Sequence, residues 1–470
     1  MDEDFEDYWY DDEMLNSVSR YEEMLEKRAH YFFDVHEFED IIDYYMDSEN
    51  FAEASSAANY AARIYPQATS IQLRIAEILL DKGQAVKALD ILNKVEPLES
   101  GEYAIYLMRG TALNMMGKPK EAQQQFEKAI SMADENKAEV LYNIGMSFEK
   151  INQHNIALKY FLKVHALEPE NYFMYYDLAY CYERLDEWDK CIACYQKYLD
   201  EDPYSDHVWY NLGIAYNKVN DNIKALEAYD FAIAIDPGYA SALFNKANTL
   251  ALLGHFRHAI ESYLEFLEIE PENASAYCYI GECCEQLDEI DMAKIYYLRS
   301  LTIDPMLADA WFGMGVIRSQ EDCHREAINY IQSALELDPG NGEYLYGLAS
   351  AYANMKRYKK SITIFKKLTK HVPHDVNVWD SFAQVYAKKG EYREACKIIM
   401  EAININPETA ILPYRLAAYL LLDNEREHAI TLLKKILPIF SDDHDYFSEV
   451  YQIDDNDQEL LDLFDQYSKP

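Results

Sequence analysis

The stretch HVWYNLGIAYNKVNDNIKALEAYDFAIAIDP, residues 207–237, decides the fold. Trp209, Leu212, Gly213 and Tyr216 recur at helical spacing, and Ala225, Tyr229 and Ala232 recur in the same way after a short polar break. Small residues at Gly213 and Ala225 let two antiparallel helices approach closely, while the bulky side chains fill the space around that contact. Pro237 ends the second helix, because it has no N–H to continue the hydrogen-bond ladder.

Working outward, the proline recurs. Pro169, Pro203, Pro237, Pro271, Pro305, Pro339, Pro373 and Pro407 are each 34 residues apart. With this proline at position 32 of each unit, position 20 is small throughout: Ala54, Ala88, Ala122, Ala157, Cys191, Ala225, Ala259, Ala293, Ala327, Ser361, Ala395 and Ala429. Position 8 is Gly or Ala except at Ile42 in the first unit, and position 24 is mostly bulky, with Phe126, Phe161, Tyr195, Tyr229, Tyr263, Tyr297 and Phe365 among its members. One unit, 103–137, carries a single extra residue. Self-similarity at a fixed period is the mark of a repeat array.

The period and the W…LG…Y…A…Y…P pattern resemble the tetratricopeptide repeat family. The resemblance covers residues 35–443 as about twelve repeats and implies an all-α, right-handed superhelical solenoid of antiparallel helix pairs. The chain is therefore divided into an acidic N-terminal segment 1–34 with a capping helix near 11–29, the solenoid 35–443, and an acidic tail 444–470 with a capping helix. Met14, Val18, Tyr21 and Leu25 recur at helical spacing in the first segment, and Leu460, Leu461, Phe464 and Tyr467 form one stripe in the tail. That tail stripe reads either as a cap or as a docking motif. Pro413 replaces the bulky residue expected at position 4 of the last repeat.

Composition narrows the function. Asp and Glu total 83 against 43 Lys and Arg, a formal charge of −40. That sign argues against nucleic acid and anionic membranes as partners, and favours neutral or basic ones. No apolar run is long enough for a transmembrane helix, and MDEDFEDYWYDDEML lacks the features of a signal peptide, so a cytoplasmic location is expected. Glycine is scarce, at 15 residues, and the sequence has no P-loop, GxGxxG or GxSxG. Cys191 and Cys194 form a CxxC, but position 20 is a core site, and Cys283 and Cys284 lie three repeats away, so buried thiols are expected rather than a metal or redox centre. His255 and His258 fall near an inter-helix turn with no HExxH pattern. No enzyme activity and no cofactor are expected.

In the resembling family, positions 2, 5, 9 and 12 of the first helix face the concave surface. Position 5 of repeats four to twelve reads Tyr142, Tyr176, Tyr210, Phe244, Cys278, Phe312, Tyr346, Asp380 and Tyr414. Such a row either packs against the neighbouring repeat or presents rings to a ligand. Position 6 of repeats four to seven reads Asn143, Asp177, Asn211 and Asn245, before changing to Tyr279, Gly313, Gly347, Ser381 and Arg415. Related repeat proteins use asparagine there to hold a peptide backbone, since an amide both donates and accepts. Tyr142, Asn143, Tyr176, Asp177, Tyr210, Asn211, Phe244 and Asn245 are the candidate peptide-binding residues. Glu139, Glu149, Glu183, Glu282, Glu285, Asp309, Glu343 and Asp380 make the inferred concave face acidic, and the family's basic clamp for a terminal carboxylate is missing. The expected function is a protein–protein interaction scaffold, monomer favoured, that holds a polypeptide segment in its groove. The alternative is a structural subunit or homo-oligomer that uses the convex face and edges.

Overall fold

The computed structural model describes residues 12–28, 30–48, 50–99, 101–454 and 457–467. Within them the chain is all-helical, an alternation of first helices such as Asp206–Lys218 and second helices such as Asn222–Ile235. Contacts gather into two compact units, Met1–Pro237 and Gly238–Pro470. Repeats one to six lie in the first unit, and repeats seven to twelve begin at residue 240 in the second.

Each helix pair is made by three local devices. In repeats two to twelve the turn between the helices carries one left-handed residue at position 15: Gly83, Gly117, Asn152, Asp186, Asn220, Gly254, Asp288, Asp322, Lys356, Gly390 and Asn424. Gly, Asn and Asp tolerate that conformation, whereas nothing in the structure explains Lys356. Side-chain caps start several helices: Asn273 accepts from the Ala276 N–H at 3.1 Å, Asn341 from Glu343 and Tyr344, and Asp375 from Asn377 and Val378. Position 32 also anchors the helix that follows it. The indole N–H of Trp209, Trp311 and Trp379 donates to the carbonyl of Pro203, Pro305 and Pro373 at 2.8–2.9 Å.

The close approach between positions 8 and 24 has a measurable cause. A Cβ added at Gly213 would lie 2.5 Å from the Tyr229 ring, and one at Gly145 2.4 Å from Phe161. These rings fill the space that a side chain would take, at a packing density that leaves no slack. Tyrosine rather than phenylalanine has a reason at position 24, because the hydroxyl reaches the first helix of its own repeat. Asn217 donates to Tyr229 Oη at 2.9 Å, and Tyr297 Oη donates to Glu285 at 3.2 Å.

At the start of the first unit, helix Asp12–Lys27 buries Val18, Tyr21 and Met24. Tyr21 meets Phe33 and Phe38 edge-on at 6.1 and 6.4 Å. Leu25, which the spacing placed on the apolar stripe, is exposed, because Met24 takes the inward position. The tail helix Gln458–Asp465 buries Leu460 and Leu463 in a cluster with Leu433, Ile436 and Phe447. The stripe thus runs through Leu463 rather than Leu461. Arg426 pins this helix through two 2.6 Å bonds to Asp457. Residues 1–11 and 468–470, part of the two terminal segments read from the sequence, lie outside the described residues.

Candidate functional site

The face that carries positions 2, 5, 6, 9 and 12 differs between the two units. In the first unit, position 5 of one repeat joins position 6 of the next, 35 residues on. The Tyr142 hydroxyl hydrogen-bonds the Asp177 carboxylate, and the Asn211 amide donates to Tyr176 Oη at 3.3 Å. The rings also pack inward: Tyr142 lies 5.6 Å from Phe161, Tyr176 lies 6.0 Å from Tyr195 and 5.5 Å from His207, and Tyr210 lies 6.1 Å from Tyr229. Asn211 is partly covered and committed to its neighbour, because a tyrosine hydroxyl arrives from the preceding repeat. Asn143 is partly exposed.

Charge is concentrated on this face. Burial, with Glu149 adding repulsion, pushes Asp177 up to about 7, and burial pushes the Tyr142 hydroxyl up to about 12. Burial also raises Glu149 and Glu183.

In the second unit, Phe244 packs against Phe266 at 5.0 Å and Tyr279 at 5.9 Å, and Asn245 accepts through its backbone carbonyl from Thr249. Beyond them the polar row gives way to Gly313 and Gly347 at position 6. A Cβ at Gly313 would lie 2.3 Å from the Tyr297 ring, and one at Gly347 2.8 Å from Phe312. Rings lean over bare backbone there, and a cavity of about 910 Å³ opens along the first helices of repeats seven to ten. Tyr279, Phe312 and Tyr346 line it together with Glu282, Glu285, Asp309 and Glu343.

Solvent reaches Glu282 through the mouth of this cavity, yet enough protein surrounds it that burial, followed by repulsion from Asp309, pushes it up to about 7. Glu285 is raised by burial and accepts from Tyr297. Asp309 accepts from Tyr344. None of the eight candidate peptide-binding residues falls in repeats eight to ten; the switch to glycine at position 6 is the signal that marks this stretch.

Position pairing resumes in repeats ten to twelve. Tyr346 and Ser381 hydroxyls meet at 2.7 Å. Asp380, read from the sequence as part of the acidic face, is instead neutralised: Arg415 Nε donates to it at 3.1 Å with both side chains buried. Arg415 also donates to the Tyr446 carbonyl at 2.8 Å and to Glu449 at 2.5 Å.

The remaining candidates for chemistry stay in the scaffold. Cys191 and Cys194 are buried, and burial pushes their thiols up to about 12 and about 11, the opposite of a reactive thiolate. His255 and His258 are exposed, with rings 6.3 Å apart. Among the described residues no group of His, Cys, Asp and Glu is arranged to hold a metal ion, and no helix is long and apolar enough to cross a membrane.

Stacked helix pairs with a side-chain-lined open face define a helical-repeat interaction scaffold. The chain belongs to the tetratricopeptide repeat family: models of that repeat match residues 40–102, 103–136, 138–171, 174–205, 206–239, 240–273, 274–305, 320–385 and 376–409. Arrays of this repeat are protein–protein interaction scaffolds, and the fold is typically non-catalytic. No curated relative matches the sequence significantly. Solved structures similar to the chain include the APC/C hetero-tetramer Cut9-Hcn1, at 17% identity over 82% of this chain and 90% of that one, with a TM-score of 0.44. A tetratricopeptide repeat protein from Parabacteroides merdae is 19% identical over 56% of this chain and 98% of its own, with a TM-score of 0.42. YrrB, described as a TPR protein with an unusual peptide-binding site, is 22% identical over 39% and 94%, with a TM-score of 0.32.

Proposed function

We propose that this protein is a scaffold that binds a polypeptide segment along the open face of its first helices. The observation that carries the reading is the coincidence, on that face in repeats eight to ten of the second unit, of partly exposed rings, an open cavity, and the carboxylates of Glu282, Glu285, Asp309 and Glu343, which no lysine or arginine among the described residues pairs with. Rings supply apolar contact area at low entropic cost, and carboxylates select neutral or basic partners. Tyr142, Asn143, Tyr176, Asp177, Tyr210 and Asn211 in the first unit, and Phe244 and Asn245 in the second, are the proposed contacts there. The polar tips of Tyr176 and Asn211 are shared with the neighbouring repeat, so their contribution to a ligand comes from ring edges and remaining lone pairs. A cytoplasmic location suits the acidic composition.

The test is site-specific photo-crosslinking in source lysate. A benzophenone side chain at Asn143 or Ser319 should capture a polypeptide, and one at Glu127 or Glu265, on exposed second-helix positions, should not. Capture from the second-helix positions alone would favour the alternative, a subunit that assembles through its outer face.

The terminal helices are proposed as caps. Removing residues 458–467 strips Leu460 and Leu463 from their cluster, so the truncated protein should self-associate at micromolar concentration in light scattering. A truncated protein that stays monodisperse and loses a captured partner would make the tail a docking motif instead.

A further inference from the structure

We propose that the groove over repeats eight to ten of the second unit docks a segment carrying an arginine between apolar side chains, with the guanidinium set among Glu282, Glu285, Asp309 and Glu343. The inference rests on the polypeptide-binding reading above and assigns the chemistry of the partner at one place.

Shape comes first. The cavity, about 910 Å³, is walled by the rings of Tyr279, Phe312 and Tyr346. Its volume accommodates several side chains rather than one. At its rim Leu252 is 72% exposed, an apolar side chain held open to solvent. At Gly313 and Gly347 the rings of Tyr297 and Phe312 take the place of a Cβ, so the floor of the groove is aromatic and apolar.

Charge decides the occupant. In the same repeats other carboxylates find cations: Glu289 pairs with Arg257 at 3.1 Å, and Glu321 pairs with Arg318 at 3.0 Å and with Lys294. Among the described residues, no lysine or arginine pairs with the four carboxylates of the groove. Glu282 is repelled by Asp309, Glu285 and Glu343, and Glu285 by Glu343. A cation placed among them relieves each of these repulsions at once. Burial raises Glu282 and Glu285 further, which is the state a bound cation would reverse.

Arginine fits better than lysine. Its planar guanidinium stacks on aromatic faces, is weakly hydrated, and offers a fork of donors to more than one carboxylate. A divalent cation is the poorer occupant, because no group among the described residues is arranged to coordinate one.

The probe is a fluorescein-labelled peptide, Gly-Leu-Gly-Leu-Arg-Leu-Gly-Leu-Gly, followed by anisotropy against the full chain. Its partner peptide replaces arginine with citrulline, which keeps the shape and removes the charge. The expected result is roughly tenfold tighter binding of the arginine peptide, about 1.4 kcal/mol. That preference should fall to within roughly twofold in Glu282→Gln/Asp309→Asn, and should persist in the charge-matched control Glu261→Gln/Glu268→Gln, whose sites lie on an exposed second-helix face. Circular dichroism confirms that each variant is folded. Equal binding of the two peptides, no binding of either, or equal loss in the control would overturn the proposal. Crosslinking from Asn143 or Ser319 in lysate would still stand in those cases, which separates this failure from failure of the scaffold reading.

Discussion

In the first unit the open face is cross-braced: Tyr142 reaches Asp177, and Tyr176 takes a hydrogen bond from Asn211. In repeats eight to ten of the second unit the same two positions read Cys278 with Gly313 and Phe312 with Gly347, where glycine offers nothing to bond, and only beyond them do Tyr346 with Ser381 and Asp380 with Arg415 pair again. One register, two outcomes. Where position 6 keeps a side chain, the face is spent on holding neighbouring repeats together. Where position 6 is glycine, a ring folds over the backbone and a groove remains. A repeat protein can therefore set local stiffness and local binding capacity through a single position without altering the helix pairs beneath.

Four effects break or sharpen this contrast. The largest effect belongs to Arg415→Ala. It leaves Asp380 buried and uncompensated in the second unit, at a cost of about 3–5 kcal/mol. Urea unfolding should register that cost, and Asp380→Asn/Arg415→Met should recover much of it, since replacing both partners removes the stranded charge. Next is Gly213→Leu in the first unit, which drives a side chain into the Tyr229 ring and should cost about 1–3 kcal/mol. Hydrogen exchange should loosen repeats five and six most, because each repeat rests mainly on its neighbours. Loosening spread evenly over all repeats would contradict that modularity.

Smaller still is Tyr176→Phe, which removes one partly exposed hydrogen bond and should cost about 0.5–1 kcal/mol. Its partner Asn211→Ala should cost less in the Tyr176→Phe background than alone. Phe312→Tyr, in the second unit, should couple to nothing at Gly347, since glycine offers no side chain to bond.

The smallest effect is a pH slope. Asp177 and Glu282 titrate near 7 in the folded protein, above the ordinary carboxylate range. A raised carboxyl pKa means that the folded state holds its proton more tightly than the unfolded chain, so stability falls as pH rises between about 4.5 and 7. The melting temperature should be higher at pH 6 than at pH 8. Asp177→Asn and Glu282→Gln should each flatten the slope, whereas an unchanged slope in both would show that general charge repulsion alone produces it.

The repeat itself was plain in the sequence, because proline at 32 marks the end of each pair and small residues at 8 and 20 record a contact within it. The cross-bracing was harder to see. Tyr176 with Asn211, and Asp380 with Arg415, join residues 35 apart that belong to different repeats, so a column-by-column reading of the repeat never sets them side by side. For the same reason Gly313 and Gly347 looked like the end of a polar row rather than the floor of a groove. The stripe on the tail shifted from Leu461 to Leu463 because the helix begins only at Gln458 and turns its apolar face by its own register.

Hydrogen exchange of the full chain, free and bound to the polypeptide captured by crosslinking, tests the open-face account most directly. The expected footprint is slowed exchange in the first helices, strongest in Ala274–Gln286, Ala308–Gln320 and Gly342–Asn354, with second helices such as Ile290–Ile303 unchanged. Protection confined to the second helices would contradict it.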